Sequence, residues 1–237
     1  MILFPAIDLY EGKAVRLYKG DYDQMTVYSE HPEEIAADFR EQGTAHIHIV
    51  DLEGARDGGT PNLETVTRIK EVSGCFCEIG GGIRDMKVIT TYLENGLDRV
   101  ILGTAALENP GLVSEAAGQY GDKISVGVDI RDGNVAIRGW KVRSEVPFMD
   151  FCEEMEARGI RTLICTDISR DGAMRGTNLA LYRELQEHLG IQITASGGVS
   201  SLEDLRQLKG MGLYGAIIGK AYYTGAIRLK EALEVAK

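Results

Sequence analysis

The feature that most limits how this chain can fold is a long internal repeat. Gly43 pairs with Gly159, Asp51 with Asp167, Asn62 with Asn178, Gly81-Gly82 with Gly197-Gly198, Gly96 with Gly212 and Gly103 with Gly219, each pair 116 positions apart. Upstream, Asp8 and Gly12 pair with Asp129 and Gly133 at 121 positions, and the five extra residues fall between Gly12 and Gly43. Every strand-to-helix turn favours Gly and Asp, so one or two such matches would mean little. A register held over four units instead describes a duplicated half, about 1–121 and 122–237.

Within each half, short apolar runs alternate with amphipathic helical stretches. The patterning predicts strands at 2–7, 46–50, 75–79, 99–102, 124–129, 162–166, 191–195 and 215–219. Helices are predicted between them, including 32–43, 62–72, 148–159 and 179–190. Alternating residues in KAVRLY and NVAIRGW suggest small hairpins after the first and fifth strands. Eight strand–helix units call for a parallel sheet, and eight is the number that closes a barrel. The expected fold is α/β: one (β/α)8 TIM barrel over residues 1–237, built from two (β/α)4 halves related by a pseudo-twofold axis. No linker rich in Pro, Gly or Ser divides the chain.

A net charge of −10 speaks against nucleic-acid or anionic-membrane partners, which favour a basic face. The apolar start, MILFPAIDLYEGK, is too short and lacks the basic region of a signal peptide, and no apolar run is long enough to span a bilayer. A cytoplasmic monomer is expected. Cys75, Cys77, Cys152 and Cys165 match no zinc spacing and read as buried reduced thiols.

Barrel active sites lie at the C-terminal ends of the strands. Asp8 follows the first predicted strand and Asp129 the fifth, so the two carboxylates should face each other across the mouth, with Gly12 and Gly133 turning the chain beyond them. A lone aspartate there would be a cap or turn residue. A symmetry-related pair is a candidate acid and base, because like carboxylates around one substrate can have their pKa values pushed apart. The residues alone do not say which is which.

The glycines add a second constraint. Gly81-Gly82 and Gly103-Thr104 follow strands three and four, as Ser196-Gly197-Gly198 and Gly219-Lys220 follow strands seven and eight. The seven–eight loops are the usual phosphate site of such barrels, where glycine lets backbone N–H groups approach the oxygens. Two such cradles with aspartates between them fit an elongated small molecule carrying a phosphate at each end. Lys220, Ser196 and Thr104 are candidates to add a charge or a hydroxyl.

Asp171 is a second candidate acid, and Thr166 a substrate-orienting residue. His48 is a core or substrate-contact histidine. Arg16, Arg84 and Arg138 lie in mouth-side loops, where solvated surface is the simplest reading, and Arg84 is also a candidate phosphate contact. Trp140, the only tryptophan, is placed to stack on a flat substrate ring. Asp51 and Asp167 serve either structural hydrogen bonds or substrate hydroxyls. No His, Cys or carboxylate cluster has metal-ligand spacing, and GGGIR is not a dinucleotide fingerprint. Proton transfer without metal or cofactor is the chemistry left.

Several segments together resemble the histidine-biosynthesis barrels, over essentially the whole chain. They are PAIDLYEGKAVRLYKGD (5–21), HIVDLEGA (48–55), GGGIR (80–84), VILGTAA (100–106), VGVDIRDGNVAIRGW (126–140), TDISRDGAMRGTN (166–178), ASGGVSS (195–201) and AIIGKA (216–221). The resemblance is to the isomerase branch and implies an Amadori rearrangement of an aminoaldose to an aminoketose, on a substrate with two phosphates joined through an imidazole carboxamide. It implies Asp8 as the base at C2′ and Asp129 as the acid that opens the ribose ring, with Trp140 near the imidazole. Some members use the aspartate matching Asp171 as the acid. The sister cyclase, which takes ammonia from a glutaminase partner, typically opens with a P-C-L-D pattern and a lysine further on, where this chain has PAID and Arg16. An isomerase that also accepts phosphoribosylanthranilate would use the same pair. A non-catalytic phosphosugar binder would not need both Asp8 and Asp129.

Overall fold

Eight parallel strands carry the architecture: β1 (Ile2–Tyr10), β2 (His46–Asp51), β3 (Phe76–Gly80), β4 (Arg99–Leu102), β5 (Ile124–Arg131), β6 (Thr162–Asp167), β7 (Gln192–Ser196) and β8 (Gly215–Ile218). They are seen in a computed structural model that describes residues 1–18 and 20–237. Hydrogen bonding runs β6-β7-β8-β1-β2-β3-β4-β5, and β5 pairs with β6 to close the cylinder. Eight longer helices form the outer ring: α1 (Pro32–Glu41), α2 (Leu63–Ser73), α3 (Met86–Glu94), α4 (Pro110–Tyr120), α5 (Phe148–Ala157), α6 (Leu179–His188), α7 (Leu202–Gly210) and α8 (Leu229–Ala236).

Strands covered on both faces read as nearly continuous apolar runs, which is why these were visible in the sequence. Their outward residues join the inner stripes of the helices in the main core; α5, for example, buries Phe148, Phe151, Cys152 and Met155. A smaller cluster of Phe4, Ala6, Ile101, Ile164 and Ile217 fills part of the barrel interior. All four cysteines are free and buried, and among the described residues no helix is long and apolar enough to cross a membrane.

Two expectations are corrected. Asp8 and Asp129 do not follow their strands but lie inside them, because each strand runs on as half of a hairpin. Past Gly12 (φ 72°) and Gly133 (φ 79°) the chain returns antiparallel, setting Asp8 opposite Val15 and Asp129 opposite Ala136. The hairpins are also larger than the sequence suggested. Lys13–Tyr18 pairs onward with Asp21–Ser29, and Asn134–Ile137 with Val142–Pro147. Those outer strands are largely exposed, so no buried face imposes an apolar alternation on them.

The paired glycines have a backbone reason. Gly81 and Gly197 adopt φ 114° and 86°, and Gly82 and Gly198 adopt φ 69° and 87°. A Cβ on Gly82 would lie 1.7 Å from Gly54 O, and one on Gly198 2.5 Å from Gly176 O. Each turn therefore packs main chain against main chain of the preceding loop, which only glycine permits.

Asp51 and Asp167 hold these loops. Asp51 is fully buried and accepts from Gly54 N (2.8 Å) and Asn62 Nδ2 (2.8 Å). Asp167 accepts from Ser169 N (2.9 Å), Ser169 Oγ (2.6 Å) and Asn178 Nδ2 (2.7 Å). Of the two readings these aspartates had, the structure supports loop anchoring.

Candidate active site

The alternation of side chains along β1 and β5 points Asp8 and Asp129 to the barrel interior at the mouth. Asp8 Oδ2 is 2.8 Å from Arg16 Nη1, both side chains being 14% exposed. The hairpin after β1 turns Arg16 back over its own strand, so it is an ion-pair partner and not the solvated arginine that its loop position suggested. Burial alone would weaken the Arg16 charge, but the Asp8 and Asp171 carboxylates outweigh it and raise its pKa above the ordinary value.

Asp129 is the more perturbed carboxyl. Removal from water raises it to about 6, against hydrogen bonds from the Trp140 and Thr166 side chains that pull it down. Asp171 adds to the rise and His48 opposes it. Asp171 is itself raised, first by burial and then by Asp8, while Arg16 and Lys220 lower it. The three aspartates thus share one electrostatic neighbourhood at the mouth.

Trp140 is half-buried, with its ring against Gly20; a Cβ there would lie 2.8 Å from Trp140 Cε3. The tips of the two hairpins therefore meet above the carboxylates. The indole thus sits half-buried beneath the hairpin tips, within electrostatic reach of Asp129.

The glycine loops flank this centre. Gly103 (φ −103°, ψ −112°) and Gly219 (φ −103°, ψ −107°) share one conformation at the starts of the short helices Thr104–Glu108 and Lys220–Tyr223. On the seven–eight side, a Cβ on Gly219 would lie 2.0 Å from Arg16 Nη2, so a guanidinium rests against that cradle. Lys220 Nζ donates to Gly172 O (3.0 Å), and Ser196 N donates to the Tyr182 hydroxyl (3.1 Å). On the three–four side, Thr104 Oγ1 accepts from Arg138 N (2.8 Å), and Arg138 pairs with Glu108 at 2.9 Å. Arg84 is exposed and reaches Ala55 O at 3.4 Å.

The residue the sequence reading missed is Glu78. It is buried in β3 with Oε1 2.7 Å from His48 Nδ1, so His48 is tied to a carboxylate below the mouth. The CFCEI run carried a signal, since a glutamate inside an otherwise apolar strand needs a partner when buried.

A cavity of about 670 Å³ lies against α1 and the start of α8, lined by Tyr28, Asp38, Tyr222 and Tyr223 among others. It holds none of the three aspartates. Among the described residues, no group of three or more His, Cys, Asp or Glu is placed to hold a metal ion.

Fold and mouth together define a (β/α)8-barrel enzyme equipped for acid–base work. The chain belongs to the histidine biosynthesis protein family, whose model matches residues 2–228. Among its relatives is the 1-(5-phosphoribosyl)-5-((5-phosphoribosylamino)methylideneamino) imidazole-4-carboxamide isomerase of Clostridium botulinum strain Hall, 47% identical over 235 residues, covering 99% of this chain and 97% of the relative. The proteins of the same name from Lactococcus lactis subsp. cremoris (47% identical, 98% and 95% covered) and Acetivibrio thermocellus (44%, 100% of both chains) match as fully.

Proposed function

We propose that this chain catalyses the isomerisation for which those relatives are named, an aldose-to-ketose Amadori rearrangement on a bisphosphorylated imidazole carboxamide ribotide. The observation that carries the reading is the shared field of Asp8, Asp129 and Asp171 beneath two crossing hairpins, with Asp129 raised to about 6. A carboxyl so poised is partly protonated near neutrality and suits a general acid.

Asp129 protonates the ribose ring oxygen as the ring opens, giving an iminium-like species whose C2′ proton is acidified. Asp8 removes that proton, and the resulting enolamine tautomerises to the ketone. Asp171 is the alternative donor, within the same field. The loops at Gly81, Gly82, Gly103 and Thr104 and at Ser196, Gly197, Gly198, Gly219 and Lys220 bind the two phosphates, with Arg84 beside the first set. His48 and Thr166 hold the substrate between them, and Trp140 covers it. Proton transfer between side chains and substrate needs no cofactor.

The chain is read as one domain of two half-barrels, about 1–121 and 122–237, acting as a cytoplasmic monomer without nucleic-acid or membrane partners. Matched glycine conformations and the paired anchors Asp51 and Asp167 support the duplication.

A turnover assay with the bisphosphate aminoaldose, with phosphoribosylanthranilate, and with the bisphosphate ketose plus ammonia tests the function. Isomerisation of the first is expected. Activity only with the anthranilate compound, or only with ammonia, would overturn the reading.

A further inference from the structure

A polar chain threads the barrel interior from floor to mouth. Arg99 Nη2 donates to the Tyr214 hydroxyl (3.2 Å), Arg99 Nη1 donates to Glu78 Oε2 (3.2 Å), and Glu78 Oε1 meets His48 Nδ1 (2.7 Å). Glu78 is 0% exposed, Arg99 5% and His48 9%. Strand register sets His48 beside Ala6 of β1 and Glu78 of β3, and its influence reaches Asp129.

A buried ion pair is seldom more stabilising than apolar residues of the same volume. This one does something an apolar pair could not. A carboxylate neutralised by Arg99 only accepts hydrogen bonds, so the imidazole nitrogen facing it carries the proton. The other ring nitrogen, Nε2, is then left with its lone pair.

We propose that Glu78 is a positioning residue that fixes His48 as the Nδ1–H tautomer, making Nε2 an acceptor for a hydroxyl or N–H of the bound substrate beside Asp129. The substrate contact rests on the isomerase reading above; the tautomer does not. Second-layer carboxylates set histidine tautomers at metal sites by the same logic.

The test is the nitrogen spectrum of uniformly 15N-labelled protein near pH 8 without substrate, with His48→Asn assigning the signal. An Nδ1–H, Nε2-unprotonated His48 is expected in the wild type. In Glu78→Gln the carbonyl turns to charged Arg99 and the amide NH2 faces Nδ1, so the tautomer reverses and kcat falls about tenfold or more. In a His48→Ala background the same substitution should remove less than about twofold further, since partners acting as a unit are not additive.

A wild-type His48 protonated at Nε2 overturns the proposal, even where Glu78→Gln does not fold. So does a full additional loss in the His48→Ala background. Wild-type protein that shows the tautomer but does not turn over the bisphosphate overturns the isomerase reading and the substrate contact, and leaves the tautomer standing.

Discussion

Arg16 Nη1 lies 2.8 Å from Asp8 Oδ2 and joins a hairpin residue to a carboxylate on the barrel wall. The same guanidinium lies against Gly219, so one side chain connects the candidate base to the seven–eight cradle. Arg16→Ala should lower kcat/KM by about 100-fold, the scale for losing a preorganised charged contact. Arg16→Lys should recover only part, because an ammonium is a point charge and not a planar fork. Steady-state kinetics decide, and wild-type values for Arg16→Ala would remove the hairpin from the chemistry.

Asp129 makes a two-part pH prediction. An acid at about 6 is lost as the pH rises, so kcat/KM should fall on the alkaline side with a midpoint near that value. For stability the sign follows from its raised pKa. Below the ordinary carboxylate range both folded and unfolded chains hold the proton, and nothing is lost. Between that range and about 6 the unfolded chain ionises first, and the fold is progressively weakened. Asp129→Asn should therefore be the more stable protein at pH 8, on the order of 2 kcal/mol in urea titrations, with the advantage vanishing near pH 3. An advantage that does not change with pH would mean that the raised carboxyl is not its source.

Trp140→Phe isolates one hydrogen bond. It keeps a ring on Gly20 and deletes the indole N–H that draws Asp129 down. The alkaline midpoint of the pH–rate profile should then move above its wild-type position. An unmoved midpoint would detach Trp140 from the acid. As the single tryptophan, Trp140 should also report ligand binding to the wild type through its fluorescence.

Gly82→Ala and Gly198→Ala should both destabilise, the first more. Each needs a positive φ, but the added methyl meets Gly54 O at 1.7 Å in one and Gly176 O at 2.5 Å in the other. For Gly82→Ala the expected loss exceeds about 4 kcal/mol, because backbone cannot move aside as a side-chain tip can. Denaturant midpoints rank the two, and equal, small losses would contradict the close approach.

Much of this architecture is legible in the sequence. The eight strands could be read because both their faces are covered, and the repeat placed Asp8 and Asp129 on opposite walls. What escaped depends on how loops fold back. Nothing local to Arg16 marks it as a partner of Asp8, and the hairpin register sets Val15, not Arg16, opposite that carboxylate. Trp140 shows the same limit, since its contacts with Gly20 and Asp129 join segments far apart in sequence. Glu78 was readable as an oddity in an apolar run, but its partners Arg99 and His48 are set by neighbouring strands.

The glycine turns divide the rim into parts of unequal freedom. The loop after β3 is welded by main chain to the loop after β2, and the loop after β7 to that after β6. The hairpins after β1 and β5 are tethered mostly by removable bonds, such as Tyr22 to Leu52 O and Arg138 N to Thr104. Grafts and length changes therefore belong on the exposed outer strands of the two hairpins, away from the Gly20–Trp140 contact. An engineer seeking a different substrate would vary those outer strands and leave the welded arcs as a fixed chassis.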